Sequence, residues 1–168
     1  LAPITANNSA SLFALEGDLR LVEFHSKANA LTDESMEIVA AAAADHGKGI
    51  IIHNDAQHFS AGVDLNAFRA YIEAEDWDGI DGFLDRFQKA VCALKYTPVP
   101  VVGAPSGLAA GGGYEVLAHC DRLVVHTNSV MGLVEAGVGV VPGGGGIKDT
   151  FFRWHAAKDS WDEAAWQT

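Results

Sequence analysis

Two glutamates stand where a carboxylate could do acid/base work. Glu115 follows Gly111, Gly112 and Gly113 and lies three residues after Gly112, in the first turn of a helix expected over residues 113–119. Glu135 sits inside the apolar run Val130-Met131-Gly132-Leu133-Val134-Glu135-Ala136-Gly137-Val138. A carboxylate embedded among apolar groups is partly desolvated, which raises its pKa and suits it to proton transfer. The competing reading of each is a solvated surface glutamate, the usual fate of that residue. The backbone near Glu115 offers a complementary chemistry. In Phe59-Ser60-Ala61-Gly62-Val63-Asp64-Leu65 a strand has just ended, and small residues let the chain turn sharply with amides pointing outward. In the segment from Gly107 to Glu115 the glycines precede a helix, whose first amides lack intrahelical partners. One amide from each segment can meet over a carbonyl oxygen as an oxyanion hole, where such a donor stabilises a transition state by about 3 kcal/mol. Glycines before a helix also occur for packing alone.

Other site chemistries fit less well. A phosphate-binding Gly-Lys-Ser/Thr is absent, because Lys148 lies between Ile147 and Asp149. The dinucleotide pattern begun by Gly137 and Gly139 fails at its sixth position, Pro142. No two histidines sit at metal-ligand spacing with a nearby carboxylate on one helix, and there is no G-x-S-x-G elbow.

The elements that must hold these residues follow from periodicity. Leu12 to Ala14 and Leu19 to Phe24 flank Glu16-Gly17-Asp18 and predict a β-hairpin. Thr32 is an N-cap, with Asp33 and Glu34 in the first turn of a helix running to about Asp45. Gly49 to His53 is a buried strand, and a strand, helix and strand in succession imply a parallel crossover. Residues 67–96 are helical with a break near Asp76 to Gly79, and Phe83, Phe87, Val91 and Leu94 form the inward stripe. Further strands are expected at Val99 to Val102 and Arg122 to His126. Alternating strands and helices predict an α/β fold with a mostly parallel sheet. In the tail from Phe151 to Thr168, Trp154 and Trp161 are spaced for one helix face.

The 168 residues suit one core, taken as about residues 12–148. Hydrophobic residues at 49% and charged ones at 20% argue for a globular chain. Twenty-two acidic against eleven basic residues give a net charge of -11, the wrong sign for a nucleic-acid binder. Two cysteines, Cys92 and Cys120, do not make a secreted disulfide framework, and no segment reads as a signal peptide or membrane span. The reading is a soluble cytoplasmic protein with no nucleic-acid or membrane partner. Glycine is abundant: of eighteen, seven fall in two clusters, Gly111 to Gly113 and Gly143 to Gly146.

Joined in order, these segments resemble the crotonase (enoyl-CoA hydratase/isomerase) superfamily from about Leu12 to Lys148. The matching motifs are Ala-Gly-x-Asp-Leu at Ala61 to Leu65, Gly-Gly-Gly-x-Glu at Gly111 to Glu115, Cys120-Asp121, and the Glu135 segment leading to Pro142-Gly143-Gly144-Gly145-Gly146. The runs Val22 to Leu31 and Gly132 to Glu135 are most similar to the crotonase part of bacterial fused 3-hydroxyacyl-CoA dehydrogenases. The resemblance implies a ClpP/crotonase-type ββα spiral and hydration of a 2-enoyl-CoA in fatty-acid β-oxidation. Glu115 and Glu135 would be the catalytic pair, and the Val63 and Gly112 amides the oxyanion hole. Lys27, Ala28, Ala61, Gly62, Asp64, Leu65 and Gly111 would lie along the CoA thioester. It implies an acyl-CoA substrate and no cofactor or metal in this chain, with NAD belonging to any fused dehydrogenase part. It further implies a homotrimer or hexamer of the full-length protein. The family's later helices, which finish the acyl pocket, have no match in residues 152–168, so the chain reads as a fragment of a longer one. Isomerisation or thioester hydrolysis on the same scaffold, or an acyl-CoA-binding fragment without catalysis, are the alternatives.

Overall fold

The computed structural model describes residues 1–157. The hairpin is built from β2 (Ala10–Leu15) and β3 (Leu19–Phe24), paired antiparallel from Ala10↔Phe24 to Leu15↔Leu19. An unforeseen strand, β1 (Pro3–Ala6), adds to its outer edge. After β3 the chain enters α1 (Asp33–Ala44), whose cap is reciprocal: Thr32 Oγ1 accepts the Ser35 N–H at 3.2 Å and Ser35 Oγ accepts the Thr32 N–H at 3.3 Å. It returns in β4 (Gly49–Ile52), parallel to β3 with Leu19↔Gly49 through Val22↔Ile52 in register. That is the parallel crossover expected of a strand, helix and strand.

Two helices follow, α2 (Leu65–Glu73) and α3 (Trp77–Lys95), separated at the acidic stretch. The apolar stripe is buried as its spacing requires, with Phe83, Phe87, Val91 and Leu94 all in the core. Tyr96 closes α3, and β5 (Val101–Gly103) pairs parallel with β4. Next come β6 (Leu108–Ala110), α4 (Gly112–Ala118), β7 (Arg122–Leu123) and β8 (Val130–Gly132). A 3-10 turn over Glu135–Val138 leads to α5 (Gly146–Ala156). The main sheet has the order β1-β2-β3-β4-β5-β7, and β6 pairs parallel with β8 in a separate two-stranded sheet. Leu12, Val22, Ile50, Ile52 and Val101 from the main sheet meet Met36, Val39, Phe87, Val91 and Leu117 from the helices in one core.

One expectation about the elements needs correction, and other features were not visible in the sequence. The strand expected over residues 122–126 ends at Leu123, because its neighbour β5 ends at Gly103, whose carbonyl accepts the Val124 N–H at 2.9 Å as the last bond of the ladder, and Val124 and Val125 are exposed. The three-residue strands β6 and β8 are too short to show alternation in sequence. Trp154 does lie on a helix, α5, but the start of that helix at Gly146 was hidden because it lacks a side-chain cap. The Trp154 and Trp161 pairing falls partly outside the described residues. Cys92 and Cys120 are unbridged, and no helix among the described residues is long and apolar enough to cross a membrane.

Candidate active site

Helix α4 places Glu115 in its first turn, pointing into the protein: the residue is only 2% exposed. Its carboxylate is not left unsatisfied. Gly144 donates its N–H to both oxygens, at 2.9 Å to Oε1 and 3.0 Å to Oε2, and Gly146 donates to Oε1 at 2.9 Å. Gly146 opens α5, so the anion sits at a helix N-terminus, where free amides and the helix dipole favour it. Burial, the largest influence, nevertheless raises the Glu115 pKa above the usual carboxylate range. The amides of Gly146 and Gly144 oppose that rise, and the charge of Glu135 adds to it. This approach depends on bare backbone: a Cβ on Gly144 would lie 2.5 Å from Glu115 Oε2, and one on Gly146 would lie 2.7 Å from Glu115 Cγ.

Glu135 faces the same region from the 3-10 turn. A Cβ on Gly111 would lie 3.0 Å from Glu135 Oε1, so the carboxylate packs directly on the first glycine of the first cluster. Glu135 Oε2 accepts the Val134 N–H at 2.7 Å. The sequence suggested that its apolar neighbours would enclose it. Instead Glu135 is half-buried, and Val130, Val134 and Val138 are exposed, because β8 has a partner on one side only and the turn lies at the surface. Deep burial falls on Glu115.

The two glycine-containing turns lie against each other. Gly62 has φ +97° and lies close enough to Ala110 and Gly112 that its own Cβ would stand 3.0 Å from the Ala110 carbonyl oxygen and 3.7 Å from the Gly112 nitrogen. Ser60 N–H donates to Leu108 O at 3.0 Å and Ala110 N–H to Ser60 O at 3.0 Å, which ties the turn to β6. On its other edge, Leu31 N–H donates to Gly62 O at 2.8 Å and Asp64 N–H to Leu31 O at 2.9 Å. Those two bonds turn the Val63 amide to the opposite side, since successive peptide groups of an extended chain alternate. Gly112 starts α4, so its N–H has no intrahelical acceptor. Among the described residues neither the Val63 nor the Gly112 N–H donates a hydrogen bond. The Val63 side chain covers Gly112, where a Cβ would stand 2.8 Å from Val63 Cγ2.

The remaining residues named by the resemblance cluster beside this turn. Ala28 O accepts the Ala61 N–H at 3.2 Å, and Lys27, Ala28, Ala61 and Leu65 are exposed. Asp64 caps α2 by accepting the Asn66 N–H at 2.9 Å. Ala28 and Asn29 both have positive φ, 57° and 51°, an arrangement costly for residues with a side chain. It is held by Ser26 Oγ donating to Ala30 O at 2.6 Å, Asn29 Nδ2 to His58 O at 2.9 Å and Ser60 Oγ to Asn29 O at 2.7 Å. In sequence the second glycine cluster is only the end of the segment that runs on from Glu135. Its amides instead hold Glu115. Asp149 in the first turn of the unforeseen α5, with Arg153 and His155 in the last, was the available signal for that helix.

Buried carboxylate, facing glutamate and paired amides on a parallel α/β frame define a class of protein, and the chain belongs to the enoyl-CoA hydratase/isomerase family, whose profile matches residues 19–154. It is 35% identical over 151 residues to the "Probable 3-hydroxyacyl-CoA dehydrogenase" of Bacillus subtilis (strain 168), which covers 88% of this chain and 19% of that protein. It is also 35% identical over 118 residues to the "Putative fatty acid oxidation complex trifunctional enzyme" of Rickettsia felis, covering 70% of this chain and 16% of that one. The chain thus spans a fifth or less of these curated relatives. Among solved structures, Pseudomonas aeruginosa DspI superposes with a TM-score of 0.79 at 25% identity, over 92% of this chain and 59% of that one. An enoyl-CoA hydratase from Polaromonas sp. JS666 superposes with a TM-score of 0.77 at 23% identity, over 83% and 56%. The crotonase-like fold implied by the motifs is the observed one, and so is the similarity to bacterial 3-hydroxyacyl-CoA dehydrogenases.

Proposed function

We propose that the chain carries the catalytic groups of an enoyl-CoA hydratase, which adds water syn across the C2–C3 double bond of a 2-enoyl-CoA in fatty-acid oxidation. The observation that carries this reading is the placement of buried Glu115 within electrostatic reach of Glu135, beside two turns whose Val63 and Gly112 amides lack acceptors among the described residues. The thioester oxygen accepts the Val63 and Gly112 N–H groups and holds the charge that develops as C3 is attacked. One glutamate, ionised, takes a proton from water as its oxygen bonds to C3. The other, protonated, gives a proton to C2 as the enolate collapses. The pair must start with one proton between them, and a carboxyl whose pKa is raised by burial and by its neighbour's charge meets that need. Lys27, Ala28, Ala61, Gly62, Asp64, Leu65 and Gly111 line the path of the CoA thioester in this reading.

No cofactor or metal takes part in this chemistry; NAD would serve only a dehydrogenase part elsewhere in a longer polypeptide. The protein would act in the cytoplasm as a homotrimer or hexamer. The test is hydration of crotonyl-CoA, followed as loss of enoyl-thioester absorbance. Glu115→Gln and Glu135→Gln should each lower the rate by about 10²- to 10⁴-fold while leaving the fold intact. Wild-type turnover in either variant overturns the assignment, and double-bond isomerisation or thioester hydrolysis without hydration moves it to another reaction of the family.

A further inference from the structure

Glu115 and His119 lie one turn apart on α4 and so share a face, which is turned towards the start of α5. Glu115 meets the Gly146 amide there, and His119 meets Asp149, three residues further along α5. The two contacts are rungs of one ladder between the helices. His119 is 1% exposed and Asp149 2%, and the proposed chemistry uses neither. His119 Nδ1 donates to the backbone carbonyl of Glu115 itself at 2.7 Å, which fixes the ring against the residue that carries the carboxylate. Its Nε2 stands 2.9 Å from Asp149 Oδ2, out of line for a hydrogen bond. Asp149 is anchored on its other side by the ammonium of Lys95, from the last turn of α3, and Lys148 Nζ approaches Oδ2 at 3.4 Å. Arg153, one turn beyond Asp149, donates to the carbonyls of Ala118 and Cys120, and Tyr114 Oη lies in hydrogen-bond contact with Thr150 Oγ1 at 3.0 Å, so α5 is tied to α4 at these points as well.

The glycine strap between these helices has little else to hold it. Gly143 to Gly146 have no side chains to pack, and a cavity of about 390 Å³ opens against the strap, lined by Gln88, Cys92, His119, Ile147 and Lys148. Apart from the helical bonds of α5 itself, the bonds of the strap among the described residues are those to Glu115, the donation from Gln88 Nε2 to Gly143 O at 2.6 Å, and the Asp149 N–H to Gly145 O at 3.0 Å. The register of the strap amides on Glu115 is therefore set by whatever fixes α5 against α4.

We infer that His119, Asp149 and Lys95 are positioning residues: the Lys95–Asp149 ion pair, with the buried His119 ring packed between Asp149 and the Glu115 carbonyl, holds the first turn of α5 so that the Gly144 and Gly146 amides stay on the Glu115 carboxylate. This brace is a property of the Glu115 site; its consequence for turnover rests on the hydratase reading above.

The deciding measurement is independent of turnover. The Glu115 side-chain carboxyl is titrated by carbon NMR in the wild type and in His119→Leu, His119→Gln and Asp149→Asn, with folding of each variant checked by circular dichroism. Loosened strap amides stabilise the anion less, so His119→Leu and Asp149→Asn should move the Glu115 titration to higher pH. His119→Gln, which keeps a polar side chain of similar reach and a donor for the Glu115 carbonyl that Nδ1 meets in the wild type, should return it towards wild type. Crotonyl-CoA kinetics should show kcat reduced roughly 10- to 100-fold in His119→Leu, with KM changed less than about threefold, because a misplaced catalytic group costs turnover rather than binding. A folded His119→Leu and a folded Asp149→Asn that both leave the Glu115 titration in place overturn the inference. If His119→Leu does not fold, Asp149→Asn and His119→Gln decide it by the same readout. A wild type that turns over no enoyl-CoA removes the hydratase reading, while the titration still tests the brace.

Discussion

The backbone N–H of Gly144 is shared between both carboxylate oxygens of Glu115, at 2.9 and 3.0 Å. No side chain could come this close, because the position of a Cβ on Gly144 falls 2.5 Å from Glu115 Oε2 and against the Phe87 ring. The second glycine cluster is thus an anion clamp made of main chain. Gly144→Ala should push the strap off Glu115, destabilise the fold by about 1–3 kcal/mol as an overpacked site does, and lower crotonyl-CoA hydration at least ~10²-fold. Urea denaturation and a steady-state assay on the same preparation check both; unchanged hydration would place the clamp outside the chemistry.

Gly111 has φ +50° and ψ −122°, a conformation that glycine tolerates and L side chains resist, and Glu135 packs directly on it. In Gly111→Ala the new methyl must displace the Glu135 carboxylate and also strain the turn. A loss of about 1–3 kcal/mol in stability is expected from the strain. The hydration rate should fall further than the unfolded fraction explains, which assays at a temperature well below the melting transition can separate.

How much of this was legible beforehand depended on how local each signal was. The capping sequence at Thr32, the stripe Phe83, Phe87, Val91 and Leu94, and the hairpin around Gly17 all announce themselves within a few residues, and all are where the sequence put them. Glu115 and Glu135 could be singled out for the same reason, as acids beside glycine or apolar residues. What pattern could not supply was which amides each acid meets. The bonds from Gly144 and Gly146 to Glu115 cross 29 and 31 residues of sequence, and the contact of Lys95 with Asp149 crosses 54. The short paired strands β6 and β8, which bring Gly111 beside the Glu135 turn, carry no periodic signal at three residues each.

The raised pKa of Glu115 makes the site a cost to stability with a defined pH dependence. Above its ordinary value of 4.5 the unfolded chain releases the proton, while the folded protein holds it until the higher folded pKa is reached. The folded state binds more protons in that window, so stability falls as pH rises through it. Glu115→Gln does not titrate and keeps an oxygen for the strap amides. Its stability relative to wild type should therefore increase between pH 4 and pH 7 in thermal melts. A difference that stays constant over that range would mean that burial does not govern this carboxyl.

Asp149 carries the opposite sign. Burial alone would raise its pKa, but the hydrogen bond and charge of Lys95, with His119 and Lys148, outweigh it and hold the carboxyl below its ordinary 3.8. The stabilisation is fully present above that value and is lost as pH falls through the lower folded pKa. Asp149→Asn removes the anion and leaves the Lys95 ammonium without it, a change that costs up to about 3 kcal/mol at pH 7 when a largely buried pair is broken. The gap between wild type and Asp149→Asn in urea denaturation should then narrow as the solution is taken below pH 3.8, because acid removes the same charge from the wild type. A gap that persists unchanged into acid would show that Asp149 contributes through packing rather than through its charge.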